Sequence, residues 1–463
     1  MEPVTAKKEW RGGAHLIGLM FVSIGAGAVV GLVAASFRLA LVWVEQRRVL
    51  ALEWAQNVPI WGVIAAIGAC ALAAAVAAWL VERFSPDSAG SGIPHVESVL
   101  QHDVAIAPGR LIPVKFVGGL LAIGSGLALG REGPSVQMGA TIAHEIGRKL
   151  GWRTVDCRSL LAAGAGAGLA TAFNAPIGGS VFVLEELVRR FDTRITIVTF
   201  GALTGAIGMA RLMLGATPEF AVAEVGEPAL SAMPAFLLLG FVMGAIGVVY
   251  NKLIVGLLSV ADSARHVPRW ATAALVGTVI GLLGFCWPHA VGGGDVLTVE
   301  ALHWGRAPAS VGGVLQVPGV GAAAIWTLAA LFVVRLVLGP LSYAAQTPGG
   351  LFAPLLAVGA QAGVLCAIGW NAMCHVALPG AAGATIDPAV MGIVAMVGLF
   401  AAVVRAPLTG IVLVSEMTVG TTLLLPMIGV CVGAMQVPTI VGNEPIYESL
   451  RQRALRMLSV RAN

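Results

Sequence analysis

Charged residues are scarce in this chain of 463 residues, and their scarcity is the first constraint on its class. Asp, Glu, Lys and Arg together make up 11% of the sequence, whereas apolar residues make up 57%. Soluble domains carry roughly 25% charged residues. With less than half that density, the chain lacks the polar surface that would keep it in water, so the composition favours an integral membrane protein over a large soluble core.

Strict alternation of apolar and polar residues is also missing, which argues against an outer-membrane barrel. The 60 glycines suit close helix–helix approach in lipid. Several apolar bands are shorter than the roughly 20 residues of a perpendicular span, and many contain Gly or Pro, which predicts discontinuous helices around a substrate site. The predicted bands lie near 14–44, 61–81, 111–129, 159–184, 195–215, 230–260, 271–287, 320–342, 350–373, 388–404 and 408–440.

Signatures of metal, redox and nucleotide chemistry are lacking as well. The 6 cysteines show no CxxC spacing, and we interpret them as small buried hydrophobes. The 8 histidines show no metal-ligand spacing, and His144-Glu145 lacks the second His of a zinc protease. No GxxxxGK[ST] loop occurs, so ATP-driven transport is not expected. We predict neither a metal nor a cofactor.

The sequence contains one motif similar to that of a protease, but the second catalytic carboxyl is missing. Gly292-Gly293-Gly294-Asp295 is similar to the Gly-x-Gly-Asp of intramembrane aspartyl proteases, which need two carboxyls that share a proton. The partner in such enzymes is a Tyr-Asp pair. The sequence has only 3 tyrosines, and Asn251, Ala344 and Glu448 follow them. We therefore predict that the protein is not an enzyme.

The few positive charges cluster at the two ends of the apolar region. Lys7, Lys8 and Arg11 precede the first long apolar run, which is too long for the core of a signal peptide. By the positive-inside rule both termini lie in the cytoplasm, and the number of spans is even. The charges are too few for a nucleic-acid partner, and we expect a multi-pass protein of the cell membrane in contact with lipid. The matching positive residues after the last run are Arg451, Arg453, Arg456 and Arg461.

An internal repeat divides the chain. Pro176 stands nine residues before Glu185, and Pro407 stands nine residues before Glu416. Gly130 and Gly350 also open two similar stretches, each with a proline four residues on. These matches predict two homologous halves of a transporter, near 14–226 and 227–440, within a single transport domain, 1–463, that ends in a cytoplasmic tail, 441–463.

The chemistry is expected at four Gly/Pro-rich breaks. They are Gly90-Ser91-Gly92-Ile93-Pro94, Gly130-Arg131-Glu132-Gly133-Pro134, Gly349-Gly350-Leu351-Phe352-Ala353-Pro354, and the stretch from Gly442 to Tyr447. In the first three, a loop leads into a predicted helix start, whose free N–H groups bind anions. Ser91 and Tyr447 add hydroxyl donors. Glu132 carries a carboxylate on a flexible side chain, and an ionisable residue at membrane depth is usually functional. It can occupy an anion site when ionised and vacate it when protonated.

These motifs resemble the CLC family of chloride channels and chloride/proton exchangers. GSGIP at 90–94, GREGP at 130–134 and GGLFAP at 349–354 stand in the family's order, and a tyrosine follows the last membrane helix. The resemblance covers about 14–450. It implies an all-α polytopic fold of two inverted repeats with tilted, discontinuous helices, and a homodimer with one pathway in each subunit.

The resemblance also implies roles for single residues. Chloride is the transported ion, held by the Ser91 and Tyr447 side chains and by backbone at Leu351 and Phe352, with Gly133 beside them. Glu132 is the external gate and proton carrier. Glu186 falls where exchangers carry an internal proton-transfer glutamate, which favours a chloride/proton antiporter. Supporting roles are expected for Arg131, Lys115, Glu97 and Glu185.

The sequence departs from the family pattern at two points, Ala345-Gln346-Thr347 and Leu187-Val188-Arg189-Arg190, which affects fine tuning. The short tail after Tyr447 lacks the nucleotide-binding pair of many eukaryotic members and indicates a prokaryotic-type member. Ser91 is the residue associated with chloride, whereas proline there suggests nitrate.

Simpler alternatives stay open at the level of sequence. Glu132 can pair with Arg131, and Glu185 and Glu186 can be solvated residues at a helix end. Ser91 can be a helix N-cap, and Tyr447 an interfacial anchor. A passive chloride channel on the same scaffold is the alternative function.

Overall fold

The computed structural model describes residues 6–217, 219–220, 222, 226–264, 266–303, 322–377, 385–418 and 421–462. Throughout these residues the regular structure is helical, which confirms the predicted fold class. The α-helices are α1 (Ala6–Gln56), α2 (Pro59–Phe84), α3 (Ile93–Leu100), α4 (Leu111–Gly124), α5 (Glu132–Lys149), α6 (Thr154–Phe173), α7 (Pro176–Phe182), α8 (Thr193–Leu214), α9 (Met233–Ser263), α10 (Arg269–Cys286), α11 (Asp295–Leu302), α12 (Ala322–Ala344), α13 (Phe352–Ala377), α14 (Pro388–Val404), α15 (Pro407–Thr418), α16 (Leu424–Ile440) and α17 (Ile446–Ala462).

Helix lengths agree with a membrane protein of uneven spans. Within the described residues, 7 helices are long and apolar enough to cross a bilayer. Four further apolar helices, α4, α14, α15 and α16, have only 10–17 residues. The short apolar bands of the sequence therefore correspond to short helices, as discontinuous spans require.

Two of the predicted bands each contain two helices, as expected for apolar bands interrupted by Gly or Pro. Band 159–184 is divided at Asn174, which ends α6 with φ 53° before Pro176 begins α7. Band 408–440 contains both α15 and α16. Arg405 ends α14 with φ 71° before Pro407 begins α15, in the same way as Asn174. A left-handed residue followed by proline stops a helix and restarts it in a new direction.

Glycine allows the helices to approach closely where they cross. A Cβ at Gly27 or Gly31 of α1 would overlap the backbone of α8 at Ala202 or Ala206. Gly139 of α5 and Gly164 of α6 meet in the same way, each against the other's carbonyl. This packing of small residues is typical of helices in lipid, and it accounts for much of the glycine in the composition.

The start of α1 and helix α17 lie on one face of the molecule. His15, near the start of α1, lies 3.1 Å from Asp156 at the start of α6. Arg158 of α6 contacts His102, just after α3, and Arg451 of α17 lies 2.7 Å from Asp103. We call this side the terminal face and the other side the opposite face.

The cysteines follow the prediction with one clear exception. Cys70, Cys157, Cys374 and Cys431 are buried, and no disulfide links the six cysteines. Cys286, at the end of α10, is exposed. It lies beyond the packed part of its helix, so the interpretation as a buried hydrophobe is wrong for this residue.

Candidate functional site

Three of the predicted glycine breaks meet inside the molecule. Gly130 and Gly350 exchange backbone hydrogen bonds at 2.9 and 2.7 Å, and the Gly349 amide donates to the Gly90 carbonyl at 3.1 Å. These bonds hold together the segments that lead into α5, α13 and α3. The positive ends of three helix dipoles therefore start from one linked backbone cluster, an arrangement suited to an anion.

Glu132 occupies the start of α13. Its Oε1 atom accepts a hydrogen bond from the Phe352 amide at 2.6 Å, and its side chain is fully buried. A carboxylate therefore lies where a helix N-terminus binds anions. The alternative that Glu132 pairs with Arg131 is wrong, because the ion-pair partners of Arg131 are Glu219 and Asp295.

Ser91 and Tyr447 place two hydroxyl groups in the interior. Both residues are fully buried, and neither Ser91 Oγ nor Tyr447 Oη has a hydrogen-bond partner among the residues that the structure describes. Gly133 makes room for the serine, since a Cβ there would lie 2.6 Å from Ser91 Oγ. The N-cap alternative for Ser91 is wrong, because Gly92 is the N-cap of α3 and no side chain caps it. The anchor alternative for Tyr447 is wrong because Tyr447 is buried.

Aromatic rings fix the start of α13 and bring Tyr447 to it. The Phe352 ring lies 4.7 Å from Phe400 and 5.9 Å from Tyr447, measured between ring centroids. Phe173 and Phe182 pack on it at 6.4 and 6.2 Å. The Phe352 amide, which donates to Glu132, is thus held in place by aromatic packing against several helices.

Lys115 holds the loop that carries Ser91. Its ammonium is fully buried and donates to the carbonyls of Ser88 at 3.0 Å and Gly90 at 2.8 Å. Tyr343 acts on the same loop, because its hydroxyl accepts a hydrogen bond from the Ser91 amide at 3.2 Å. Lys115 therefore holds the backbone of this loop in place, in addition to supplying a positive charge.

Glu186 lies in the π-helical segment Val183–Leu187, which follows α7. Its side chain is 5% exposed, so the interpretation of this residue as a solvated acid is wrong. Arg189 lies 3.9 Å from its carboxylate, and Glu97 of α3, also fully buried, interacts with it. Two neighbouring carboxyls can share one proton.

Glu185 points elsewhere and binds a helix end of the other half of the chain. Its carboxylate accepts from the amides of Leu408 and Thr409 at 3.0 and 2.6 Å at the start of α15. Glu416 makes the reciprocal contact, accepting from Ile177 and Gly178 at 3.1 and 2.7 Å at the start of α7. Sequence reasoning identified the repeat but missed this exchange, because spacing alone does not show which helix a carboxylate caps.

Arg335 is a second residue that the sequence analysis missed. It is fully buried and donates to the carbonyls of Gly292 at 2.6 Å and Gly293 at 2.7 Å. A signal was present, because Arg335 follows Lys115 by 220 residues, the interval that also separates Gly130 from Gly350. Arg335 therefore supports a glycine loop of the second half as Lys115 supports one of the first.

A cavity of about 650 Å³ lies beside the Ser91 loop. Gly90, Gly92 and Tyr343 line it together with Arg453 of α17 and Asp103, which lie at the terminal face. It extends from that face to the backbone next to the buried hydroxyls. Among the described residues, no group of three or more His, Cys, Asp or Glu side chains is arranged to hold a metal.

Comparisons with known proteins show what the chain is similar to. Residues 73–439 match the family model described as voltage gated chloride channel. The chain is 37% identical over 457 residues to the H(+)/Cl(-) exchange transporter ClcA of Vibrio parahaemolyticus, covering 96% of this chain and 91% of that protein. It is 35% identical over 448 residues to the protein of the same name from Yersinia pestis, with 94% and 88% covered.

A solved structure shows the same likeness in three dimensions. The fold resembles the X-ray crystal structure of a slow cyanobacterial Cl-/H+ antiporter with a TM-score of 0.84 and 30% sequence identity. The match covers 95% of this chain and 98% of that one.

Proposed function

The chain belongs to the voltage-gated chloride channel (CLC) family, and we propose that it is a chloride/proton antiporter in which Glu132 is the gate. One observation carries the proposal: the Glu132 carboxylate accepts from the Phe352 amide at 2.6 Å, at a helix start suited to an anion. The named relatives are exchange transporters. Glu186, in the same half of the chain as Glu132, is a second buried acid. The protein is accordingly a multi-pass membrane transporter, with no expected cofactor.

The exchange cycle follows from competition for one position. Ionised Glu132 occupies the start of α13 and excludes chloride from it. Protonation removes the charge that this position favours, so the side chain leaves and chloride takes its place. Because one site holds either the carboxylate or the ion, chloride and proton must move in opposite directions.

The central chloride contacts are assigned to Ser91 and Tyr447. Both hydroxyls are buried and have no hydrogen-bond partner in the described part of the chain, which is costly unless a ligand accepts from them. The backbone at Leu351, Phe352 and Gly133 surrounds the same position. Helix dipoles and hydroxyls bind an anion without a full positive charge, so the ion is held and also released.

Glu186 is assigned to proton transfer on the terminal face, which we take as cytoplasmic. Its burial and its neighbour Glu97 suit a group that takes up and passes on a proton. We expect Glu186→Gln to stop proton movement and to spare chloride flux. Glu185→Gln is the matched control, because Glu185 caps α15 and should affect stability more than coupling. Unchanged exchange in Glu186→Gln would remove this residue from the proton path.

A homodimer and the two-repeat organisation are part of the proposal. The helices α7, α15 and α16 expose large apolar side chains, which suit a partner subunit or lipid. They are Ile177, Leu408, Leu424, Leu425, Ile428 and Val432. The reciprocal caps by Glu185 and Glu416 support a division near 226–227. Crosslinking of single cysteines placed on this surface tests the dimer.

The experiment that tests the function is simultaneous measurement of chloride and proton flux from purified protein in liposomes. We expect an outward chloride gradient to drive protons inward against their own gradient, and the reversal potential to move with the pH gradient. Chloride flux with a reversal potential indifferent to pH would instead establish the passive channel.

A further inference from the structure

A small pocket on the opposite face lies directly beside the gate. Its volume is about 30 Å³, room for a water molecule or two. We call it the outer pocket. Its lining includes Glu45, Gly130, Arg131, Gly293, Asp295 and Ala353.

Glu132 adjoins this pocket through its second oxygen. Oε2 of Glu132 is buried and has no hydrogen-bond partner among the described residues, whereas Oε1 accepts from the Phe352 amide. A Cβ at Gly130 would overlap Oε2, so this oxygen lies directly against the backbone of a pocket-lining residue. The unpartnered atom of the gate therefore lies against the wall of the outer pocket.

Asp295 stands on the solvent side of the same pocket. Its side chain is 35% exposed, whereas that of Glu132 is fully buried. It is the first residue of α11, and Arg335 fixes the preceding loop through the Gly292 and Gly293 carbonyls. Asp295 is the acid of the Gly-x-Gly-Asp motif that the proposed exchange cycle does not use.

Arg131 links Asp295 to the gate. Its guanidinium lies 3.4 Å from Asp295 and also pairs with Glu219, and Glu132 is the next residue in the chain. Because Glu219 remains a partner, Arg131 stays paired when Asp295 is protonated. The charged groups around Asp295 come from several packed elements. They are Arg38 and Glu45 of α1, Arg131 and Glu132 at the start of α5, Glu219, and Arg335 of α12.

We infer that Asp295 transfers protons between Glu132 and water on the opposite face. When protonated Glu132 leaves α13, its O–H proton passes to the Asp295 carboxylate, directly or through one water in the outer pocket. Asp295 then releases the proton to bulk water, and ionised Glu132 returns to the Phe352 amide. Proton uptake runs through the same steps in reverse. This inference rests on the proposed exchange function.

The test is chloride-driven proton flux through Asp295→Asn, in membrane vesicles of known orientation, as the pH on the opposite face is varied. We expect proton-coupled exchange to fall about a hundredfold, at the lower end of what positioned acid–base groups contribute, and to lose its dependence on that pH. Asp295→Glu should restore it. Glu45→Gln is the matched control, because Glu45 lines the same pocket but pairs with Arg48, not Arg131.

Repeating the Asp295 substitution in the Glu132→Gln variant distinguishes a loss of proton transfer from a disturbed chloride pathway. In Glu132→Gln, where the gate carries no proton, adding Asp295→Asn should leave chloride flux unchanged. A fall in that flux, or an unaltered pH profile in the single variant, overturns the role of Asp295. If the wild-type protein moves chloride without protons, the exchange function itself fails, which is a different result.

Discussion

Two glycine loops, one in each half of the chain, have the same backbone design and different side chains. Gly90 and Gly92 have φ of 61° and 87°, and Gly292 and Gly294 have φ of 90° and 101°. A helix of eight residues follows each loop, α3 or α11. Only glycine adopts these angles freely, so the turn is set by the backbone in both places.

The two loops differ in the chemistry of their side chains. The middle residue is Ser91 in the first loop and Gly293 in the second, and the helix that follows begins with Ile93 or with Asp295. The first loop thus presents a neutral hydroxyl near the gate, while the second presents an acid beside Arg131. The repeat supplies two similar backbone scaffolds, and their different side chains suit one to the proposed anion contact and the other to the proposed proton transfer.

The largest expected effect comes from removing the buried cations that hold the loops. Arg335→Met should lower the free energy of unfolding by about 3–5 kcal/mol and Lys115→Met by about 2–3 kcal/mol, because Arg335 donates to more carbonyls, which are left unpaired. Thermal unfolding in detergent measures this order. Equal stability of both variants and the wild type would show that the loops need no cation.

A smaller effect should distinguish the middle residues of the loops. Ser91→Pro should shift the nitrate-to-chloride rate ratio toward nitrate by about fivefold, equivalent to about 1 kcal/mol. Gly293→Ala is the matched change in the second loop, and it fits, since the nearest atom to its Cβ is the Leu129 carbonyl oxygen at 3.5 Å. We expect its anion ranking to equal that of the wild type. An unaltered ranking in Ser91→Pro would remove Ser91 from the selectivity site.

The smallest effect concerns α17, which packs on α3, the helix that follows the first loop. The hydrogen bond from Arg451 lowers the pKa of the Glu448 carboxyl below its usual value of 4.5. The stabilisation is therefore complete above that value and lost as the pH falls through the lowered pKa. Because Glu448 is partly exposed, Glu448→Gln should cost less than about 1 kcal/mol at pH 7.

The pH dependence checks that assignment. The difference in melting temperature between Glu448→Gln and the wild type should shrink as the pH is lowered below 4.5. A difference that stays constant down to pH 3 would mean that the contact with Arg451 does not depend on the charge of Glu448.

The sequence predicted the parts of the fold that depend on composition and local breaks. Low charge and interrupted apolar bands indicated an all-helical membrane protein, and the three glycine motifs marked helix starts that the structure brings together. The repeat was visible because Pro176 and Pro407 restart helices after left-handed residues, a local event with a local signature.

What the sequence could not show was pairing between distant residues. Pairing of Glu132 with Arg131 was an open alternative in the sequence, yet Arg131 pairs with Glu219 and Asp295, which both lie far from it along the chain. The exchange of caps between Glu185 and Glu416 likewise depends on how the halves pack. Such contacts depend on tertiary structure. The spacing of residues along the chain does not show which distant side chains will meet.

The most direct test of the account is chloride and proton flux through Glu132→Gln in liposomes. A glutamine cannot release a proton and carries no charge to compete with chloride for the start of α13. We expect continued chloride flux with no coupled proton movement and a reversal potential insensitive to pH. Proton pumping driven by a chloride gradient in this variant would rule out Glu132 as the gate, since another group would then have to fill that role.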